Sequence, residues 1–226
     1  MTKWANDLVD ELSHVQLPNV FNPYRDTCPL HDRIDAVALR KRNLANYLNS
    51  FAPTRSLSIV FGRDFGYRGA RRTGLSLTDE AHLDAAQIAL KSAPLRKATT
   101  GPVVAERTAA VVWNVLARLP TVPVLWNAFP LHPHAPGETM TNRSHSASER
   151  RITAWTIDTL VKKLEPTRLI AVGNDAATAL ADLNLVFECV RHPSYGGQRE
   201  FIEGMERLHG LPVTGKLKTP RPPTLI

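Results

Sequence analysis

The stretch from Leu57 to Glu80 reads LSIVFGRDFGYRGARRTGLSLTDE, and the rest of the chain is organised around it. Residues 57–61 are almost all apolar, which is typical of a strand buried on both faces of a parallel sheet. The glycine-rich loop that follows carries Asp64, several arginines and aromatic rings, more polar groups than a buried turn could satisfy. In open α/β sheets, such loops at the carboxyl ends of strands bind ligands, and the arginines favour a ligand that carries phosphate.

Three further apolar segments have the pattern of buried strands, and helical segments separate them. Together with 57–61, the segments 122–126, 169–172 and 186–190 predict four strands. The sequence therefore predicts an α/β fold, a three-layer α/β/α sandwich around a central four-stranded, mainly parallel sheet. We expect a single domain over residues 1–226, with an N-terminal helical extension at 1–50 and a proline-rich tail at 215–226.

The clearest helical patterns lie at 3–14, 33–50, 103–119 and 198–209, and a further helix is expected to begin at Thr78. Asp32 is expected to cap the helix at 33–50. The basic run of Arg40, Lys41 and Arg42 within that helix is most simply a solvated face.

The composition favours an anionic partner. The chain contains 28 Lys and Arg against 21 Asp and Glu, a formal net charge of +7, so nucleic acid leads the candidate partners and a merely basic surface is the competing interpretation. The two cysteines, Cys28 and Cys189, are too few for a four-thiolate zinc or iron–sulfur site and are typical of reduced thiols in a cytoplasmic protein. With no apolar run of membrane-spanning length and no signal peptide pattern, we expect no membrane association.

Three polar side chains lie within three residues after the ends of predicted strands: Asp64 after the first, Asn127 after the second and His192 after the fourth. If the strands are parallel, these side chains converge on one edge of the sheet. An amide can read a donor and acceptor pair on a nucleobase, an imidazole can stabilise an oxygen that gains negative charge, and a carboxylate can orient water or stabilise a cation. Cleavage of an N-glycosidic bond needs these three groups. Taken singly, each residue could instead be structural, as a turn aspartate, a loop-capping asparagine or a satisfied histidine.

In order along the chain, the motifs resemble those of the uracil-DNA glycosylase superfamily over roughly residues 57–206. The segment Gly62-Arg63-Asp64-Phe65-Gly66 resembles the first motif, and residues 72–78 resemble the segment that carries the aromatic ring stacked on uracil. Asn127 matches the asparagine that pairs with uracil, and His192-Pro193-Ser194 resembles the second motif, whose loop enters DNA.

The resemblance implies an enzyme that hydrolyses the N-glycosidic bond of uracil in DNA and leaves an abasic site. It implies catalytic roles for Asp64 and His192 and a uracil-binding role for Arg63, Phe65, Gly66 and Asn127. It also implies that uracil-containing and abasic DNA are the partners and that the protein acts as a monomer. The residues that the resemblance places in contact with DNA are Arg68, Arg71, Arg72, Ser194, Tyr195, Gln198 and Arg199. No cofactor is expected, because the cysteines that bind the cluster in one branch of the superfamily are absent.

The sequence departs from the family pattern in three places. Leu77 replaces the usual stacking phenylalanine, for which Phe65 or Phe129 could substitute, and Gly66 replaces a bulky tyrosine that excludes thymine. The segment Tyr195-Gly196-Gly197 replaces the usual wedge, which leaves Tyr195, Gln198 and Arg199 as candidates. These departures keep two alternatives open: a protein that binds uracil or abasic sites without turnover, and a glycosylase for another deaminated base such as hypoxanthine.

His132 and His134 are two positions apart, a spacing that suggests a zinc site. No third ligand is compellingly placed, so no metal site is expected. The simpler interpretation is a polar loop near DNA.

Overall fold

The computed structural model describes residues 2–53 and 57–212. In chain order its strands are β1 (Val20–Phe21), β2 (Ser58–Asp64), β3 (Val124–Phe129), β4 (His132–Pro133), β5 (Arg168–Val172) and β6 (Glu188–Val190). The central sheet has four strands in the order β3-β2-β5-β6, and every neighbouring pair is parallel. The short strands β1 and β4 form a separate antiparallel pair. The predicted α/β fold with a four-stranded sheet is confirmed.

Helices flank the sheet. They are α1 (Lys3–Ser13), α2 (Ala36–Leu48), α3 (Ala70–Thr73), α4 (Leu83–Leu90), α5 (Arg107–Leu116), α6 (Ala147–Thr153), α7 (Trp155–Leu164), α8 (Asn174–Asp182) and α9 (Gln198–Leu208), with a 3-10 turn at Glu80–His82. Helix α1 packs on α2 and α7, and α5 packs on α9. In the described part of the chain, no helix is both long and apolar enough to cross a membrane. The predicted proline-rich tail lies outside the described residues.

The sheet is buried because its strands are apolar on both faces. Ile59, Val60 and Phe61 of β2 and Val124 of β3 are all inaccessible to solvent, as the continuous apolar runs predict. The core that they form also includes Leu8 and Leu12 of α1, so the amino-terminal helices pack into the same core as the sheet.

The strand register decides where the polar side chains lie. Gly62 of β2 pairs with Asn127 of β3, and Asp64 pairs with Phe129. Because all four strands run in the same direction, their carboxyl ends share one edge, and the residue that follows β6 is brought to that edge as well. The predicted convergence of the three strand ends is confirmed.

Helix α2 corrects two predictions. It begins at Ala36 with Asp35 at the N-cap position, whereas Asp32 forms a buried ion pair with Arg40 at 2.9 Å. Arg40 also donates hydrogen bonds to the carbonyl oxygens of Pro23 and Asp26. The prediction that this arginine belongs to a solvated face is therefore wrong, because the connector before α2 folds over it.

The helices predicted from Thr78 and at 103–119 are also shorter than expected. Thr78 and Asp79 precede a 3-10 turn, and the Asp79 side chain accepts a hydrogen bond from the backbone N–H of His82. Residues 103–106 are not helical, and α5 begins only at Arg107, after Glu106 in an extended conformation. The Glu106 side chain lies against the loop after β2.

Candidate active site

Asp64 is the last residue of β2, and its side chain is buried among hydrogen-bond donors. Oδ2 accepts from Nε of Arg63 at 2.9 Å and lies 3.2 Å from both the backbone nitrogen and Nδ1 of His145. The Arg63 guanidinium also reaches Asp175 at 3.5 Å. Burial alone would lower the pKa of Arg63, but the carboxylates of Asp64 and Asp175 outweigh burial and raise it. A permanent cation therefore stands beside the carboxylate.

Asn127 lies beside Asp64, and its amide has a fixed orientation. Nδ2 donates to the backbone carbonyl of Asp64 at 3.1 Å. Oδ1 is buried and has no hydrogen-bond partner among the described residues. Because the carbonyl of Asp64 can only accept, Oδ1 cannot take the place of Nδ2. The amide thus offers a free acceptor and one remaining N–H, and an unpaired buried acceptor of this kind is costly unless a ligand satisfies it.

Gly62 makes room for this amide. A Cβ atom at that position would lie 2.7 Å from Nδ2 of Asn127 and 3.0 Å from the Leu77 side chain. Glycine is therefore required here so that the strand can approach both side chains closely.

His192 follows β6 and is neutral with its proton on Nε2. The backbone N–H of Ser194 points at Nδ1 over 3.1 Å, and the Ser194 hydroxyl lies 2.7 Å from the same atom. A backbone N–H can only donate, so Nδ1 is an acceptor and Nε2 carries the proton. Burial lowers the pKa of His192, and the charges of Arg63 and Arg191 lower it further. The ring is thus a neutral hydrogen-bond donor at physiological pH.

The Glu106 side chain occupies the space beside Gly66. The sequence implied that this space was free, because glycine replaces a bulky tyrosine there. A Cβ atom at Gly66 would lie 3.2 Å from Oε1 of Glu106, and one at Gly69 would overlap Oε2. Burial and the nearby carboxylate of Asp79 raise the pKa of Glu106 to about 7, although Arg68 opposes the shift. This carboxyl group was not among the candidates from sequence, since no motif links it to the loop.

Leu77 lies beside Gly62, as the Asn127 amide does, and has a left-handed backbone with φ of 51°. Phe65 is only 1% exposed, and its ring belongs to the hydrophobic core. Phe129 is also buried and contacts His145. Both rings are buried, so the expected stacking role of Phe65 does not fit its position, and Leu77 is the side chain that lies beside Gly62 together with the Asn127 amide.

Two of the three loop arginines are structural. Arg72 is 8% exposed and pairs with Glu80 at 3.0 Å, whereas Arg71 is 2% exposed and lies over the Phe21 ring, 4.1 Å from its centroid. Their burial does not fit the predicted contact with DNA phosphates, because both guanidinium groups are used inside the protein. Arg68 is exposed and remains a candidate for phosphate contact.

The loop after His192 projects into solvent. Tyr195 is 98% exposed with φ of 49°, and Gly196 follows with φ of 80°. A Cβ atom at Gly197 would overlap the His192 carbonyl oxygen, so glycine permits the tight turn that presents the tyrosine ring. Gln198 and Arg199 are exposed in the first turn of α9. All three wedge candidates are therefore accessible to a ligand.

The rings of His132 and His134 both form hydrogen bonds with backbone carbonyl groups. Nε2 of His132 lies 2.9 Å from the Thr141 carbonyl, and Nδ1 of His134 lies 2.9 Å from the Ala135 carbonyl. Burial, with the charge of Arg71, lowers the pKa of His132 to about 4. Over residues 2–53 and 57–212, no cluster of three or more His, Cys, Asp or Glu side chains is arranged to hold a metal ion.

His145, like Glu106, is a residue of this site that the sequence did not indicate. It lies 81 positions after Asp64, and no local pattern connects the two. One signal was present: Ser146 and Glu149 have the spacing of a capping box, and they form one at the start of α6. That motif fixes the position of the residue before it.

No protein-family model and no curated protein matches this sequence. Among solved structures, SMUG2 of Pedobacter heparinus superposes on the chain with a TM-score of 0.65. The match covers 93% of this chain and 98% of the SMUG2 chain at 12% sequence identity. This protein has the uracil-DNA glycosylase-like fold. Within that fold, Asp64, Asn127 and His192 lie at the carboxyl ends of parallel strands, where open α/β sheets bind their ligands.

Proposed function

We propose that this protein is a DNA glycosylase that hydrolyses the N-glycosidic bond of uracil in DNA. The observation that carries the proposal is the oriented amide of Asn127, which lies beside Asp64 and leaves one buried acceptor and one donor unused. The N3–H and O4 of uracil present the complementary donor and acceptor. Cytosine presents the reverse pattern at N3 and N4 and is rejected, because the Asp64 carbonyl prevents the amide from turning over.

The base must leave the duplex before it can reach these groups. Arg68 contacts the phosphate backbone, and the exposed Tyr195 enters the space that the extruded nucleotide leaves. Leu77 covers one face of the base, and Asn127 pairs with its edge.

Each remaining side chain then has a defined role in bond cleavage. As the C1′–N1 bond breaks, its electron pair moves to uracil, and Nε2–H of His192 donates to O2, where negative charge develops. The Asp64 carboxylate stabilises the positive charge on the sugar and directs water to C1′. The water oxygen bonds to C1′ and loses its proton, and the uracil anion is protonated after it leaves.

The test is release of uracil from a labelled oligonucleotide, detected as strand cleavage after treatment with alkali. We expect multiple turnovers on the uracil substrate, with no cleavage before alkali. Removal of an oriented oxyanion donor commonly costs about 10²- to 10³-fold in rate, so His192→Ala should lose that much while it keeps its fold. Asp64→Asn should still bind the substrate but process it slowly. Normal turnover by a folded His192→Ala variant would remove the histidine from the mechanism.

A second candidate is a glycosylase for hypoxanthine. The N1–H and O6 of hypoxanthine present the same donor and acceptor pattern as uracil, so Asn127 alone does not distinguish the two bases. The absence of a side chain at Gly66 would admit a larger ring only if the Glu106 carboxyl group, which lies beside Gly66, moves away. An oligonucleotide with a single hypoxanthine, assayed in competition with the uracil substrate, decides between them.

A protein that binds lesions without turnover is a third possibility, favoured by Leu77 at the stacking position and by the unusual loop at Tyr195. Tight binding of abasic DNA with at most one uracil released per protein molecule would support it. Continued turnover with excess substrate would exclude it.

A further inference from the structure

His145 and Asp64 form a pair whose two contacts converge on the same carboxylate oxygen. The backbone nitrogen and the ring Nδ1 of His145 both lie 3.2 Å from Oδ2 of Asp64. Nε of Arg63 also donates to Oδ2, at 2.9 Å. One oxygen of the carboxylate thus faces three donors, whereas the described residues place no donor on Oδ1.

We propose that His145 is a positioning residue that fixes the Asp64 carboxylate, so that Oδ1 alone faces the sugar and the attacking water. This inference rests on the proposed glycosylase function. A carboxylate at the end of a strand can otherwise rotate about its terminal torsion, which is broad. Two donors from one residue, at fixed positions relative to each other, restrict that rotation in a way that the flexible, half-exposed Arg63 side chain does not.

The chemistry of the pair fixes the protonation of the imidazole. An ionised carboxylate can only accept, so the contact at Oδ2 requires a proton on Nδ1 of His145. His192 has the opposite arrangement, with its proton on Nε2. Nδ1 is therefore a donor in His145 and an acceptor in His192, and in each ring its role is set by the group that it faces.

The segment around His145 is held by interactions of its own. Glu149 accepts two hydrogen bonds from Arg143, at 2.6 and 2.9 Å, and it closes the capping box with Ser146. The hydrogen bond from Arg143 lowers the pKa of Glu149 to about 2, so this clamp stays ionised throughout the physiological range. The His145 ring packs against Phe129, with the centroids 5.4 Å apart, and its side chain is 2% exposed. The imidazole is thus supported on several sides and is rigid enough to position its partner.

Simple packing would predict a different pattern of mutational effects. If His145 only filled space, Ala and Asn replacements would both reduce stability and leave the rate of the folded fraction unchanged. If it positions Asp64, the rate must depend on the donor at Nδ1. Asn offers an N–H at nearly the same reach, whereas Ala offers none.

The kinetic experiment compares His145→Ala, His145→Asn and the neighbouring control Ser144→Ala on uracil-containing DNA. Loss of an orienting partner typically costs about 10- to 10²-fold, so we expect kcat of His145→Ala to fall by that factor with KM changed by less than about 3-fold. His145→Asn should recover to within about 5-fold of wild type, and Ser144→Ala should match wild type. Equal rates for His145→Ala and wild type, or equally slow Ala and Asn variants with unchanged unfolding, would overturn the proposal.

A second measurement does not depend on activity. The ¹⁵N resonances of the His145 ring, assigned by their loss in His145→Asn, report which nitrogen is protonated. We expect a protonated Nδ1 in wild type and a shift towards the Nε2–H form in Asp64→Ala. A wild-type ring with Nδ1 unprotonated would refute the pair even if uracil is released. A wild-type chain that releases no uracil would refute the proposed function, while the ring resonances would still decide whether His145 holds Asp64.

Discussion

Replacement of Arg72 by Met distinguishes a buried structural arginine from a DNA contact. Nε of Arg72 pairs with Glu80 at 3.0 Å, and Nη2 donates to the Thr99 hydroxyl at 3.0 Å. The Glu80 side chain is fully buried and also accepts from the backbone N–H of Val104 at 2.9 Å. Arg72→Met would fill most of the volume but would leave the carboxylate with hydrogen bonds and no counter-charge.

The expected cost follows from this burial. Removal of one partner from a buried ion pair commonly costs about 3–5 kcal/mol, because the remaining charge is uncompensated. In a chain of this size each kcal/mol corresponds to roughly 2–4 °C in Tm, so Arg72→Met should melt about 6–20 °C below wild type. The double variant Arg72→Met/Glu80→Gln should lose less than the sum of the two single variants, because the unpaired charge is then absent.

The matched variant is Arg68→Ala, at an exposed position of the same loop. Its free energy of unfolding should lie within about 0.5 kcal/mol of wild type. The slope of log K for DNA against log salt should become shallower by about 0.9, the value for one lost phosphate contact. Thermal unfolding and fluorescence anisotropy at several salt concentrations measure both quantities. If Arg72→Met unfolds like wild type and instead makes the salt dependence of DNA binding shallower, Arg72 is a DNA contact and not a structural residue.

Three other perturbations test separate parts of the site. Because the pKa of Glu106 is raised from an ordinary 4.5 to about 7, its contribution to stability is present below the lower value and is lost as pH rises through the upper one. As pH rises from about 4 to 8, the free energy of unfolding of Glu106→Gln, measured by urea denaturation, should therefore increase by about 1–3 kcal/mol relative to that of wild type. A difference that does not change with pH would contradict the raised pKa of Glu106. Gly62→Ala would press a methyl group against Asn127 and Leu77. The rate of uracil release should therefore fall by about 10²-fold or more, and the free energy of unfolding should change by about 1–3 kcal/mol. A wild-type rate would mean that the Asn127 amide does not read the base. Tyr195→Ala should leave stability within about 0.5 kcal/mol and weaken binding to abasic DNA by about 1–3 kcal/mol, and unchanged affinity would exclude the ring as the wedge.

Local pattern was sufficient for the fold and for the location of the site. Residues 57–61 and the later apolar runs are continuous because their strands are buried on both faces, and that pattern can be read without knowledge of the partner strands. Asp64, Asn127 and His192 could be placed together because parallel strands bring their carboxyl ends to one edge. The sequence also identified glycines where the backbone turns tightly, and Gly62 and Gly197 are positions where a side chain would not fit.

Burial of charged side chains could not be read in the same way. The sequence shows Arg40, Arg71 and Arg72 as members of basic runs, and a basic run is usually exposed. Whether an arginine is exposed depends on whether a carboxylate or aromatic ring of another segment contacts it, as Asp32, Phe21 and Glu80 do here. Such pairs form between segments that come together only when the chain folds.

The same reason explains what the tertiary structure added to the site. His145 contacts Asp64 across 81 positions, and Glu106 contacts the loop at Gly66 from a segment, 103–106, that is not helical as predicted. The sequence by itself determined the strands and the polar residues at their carboxyl ends, and hence the edge of the sheet where those residues lie. These features could be read because they depend on short-range periodicity. Only the tertiary structure decided which arginines are internal, how the Asn127 amide is oriented and which histidine contacts the Asp64 carboxylate, because each of these depends on a contact between segments that no short-range periodicity connects.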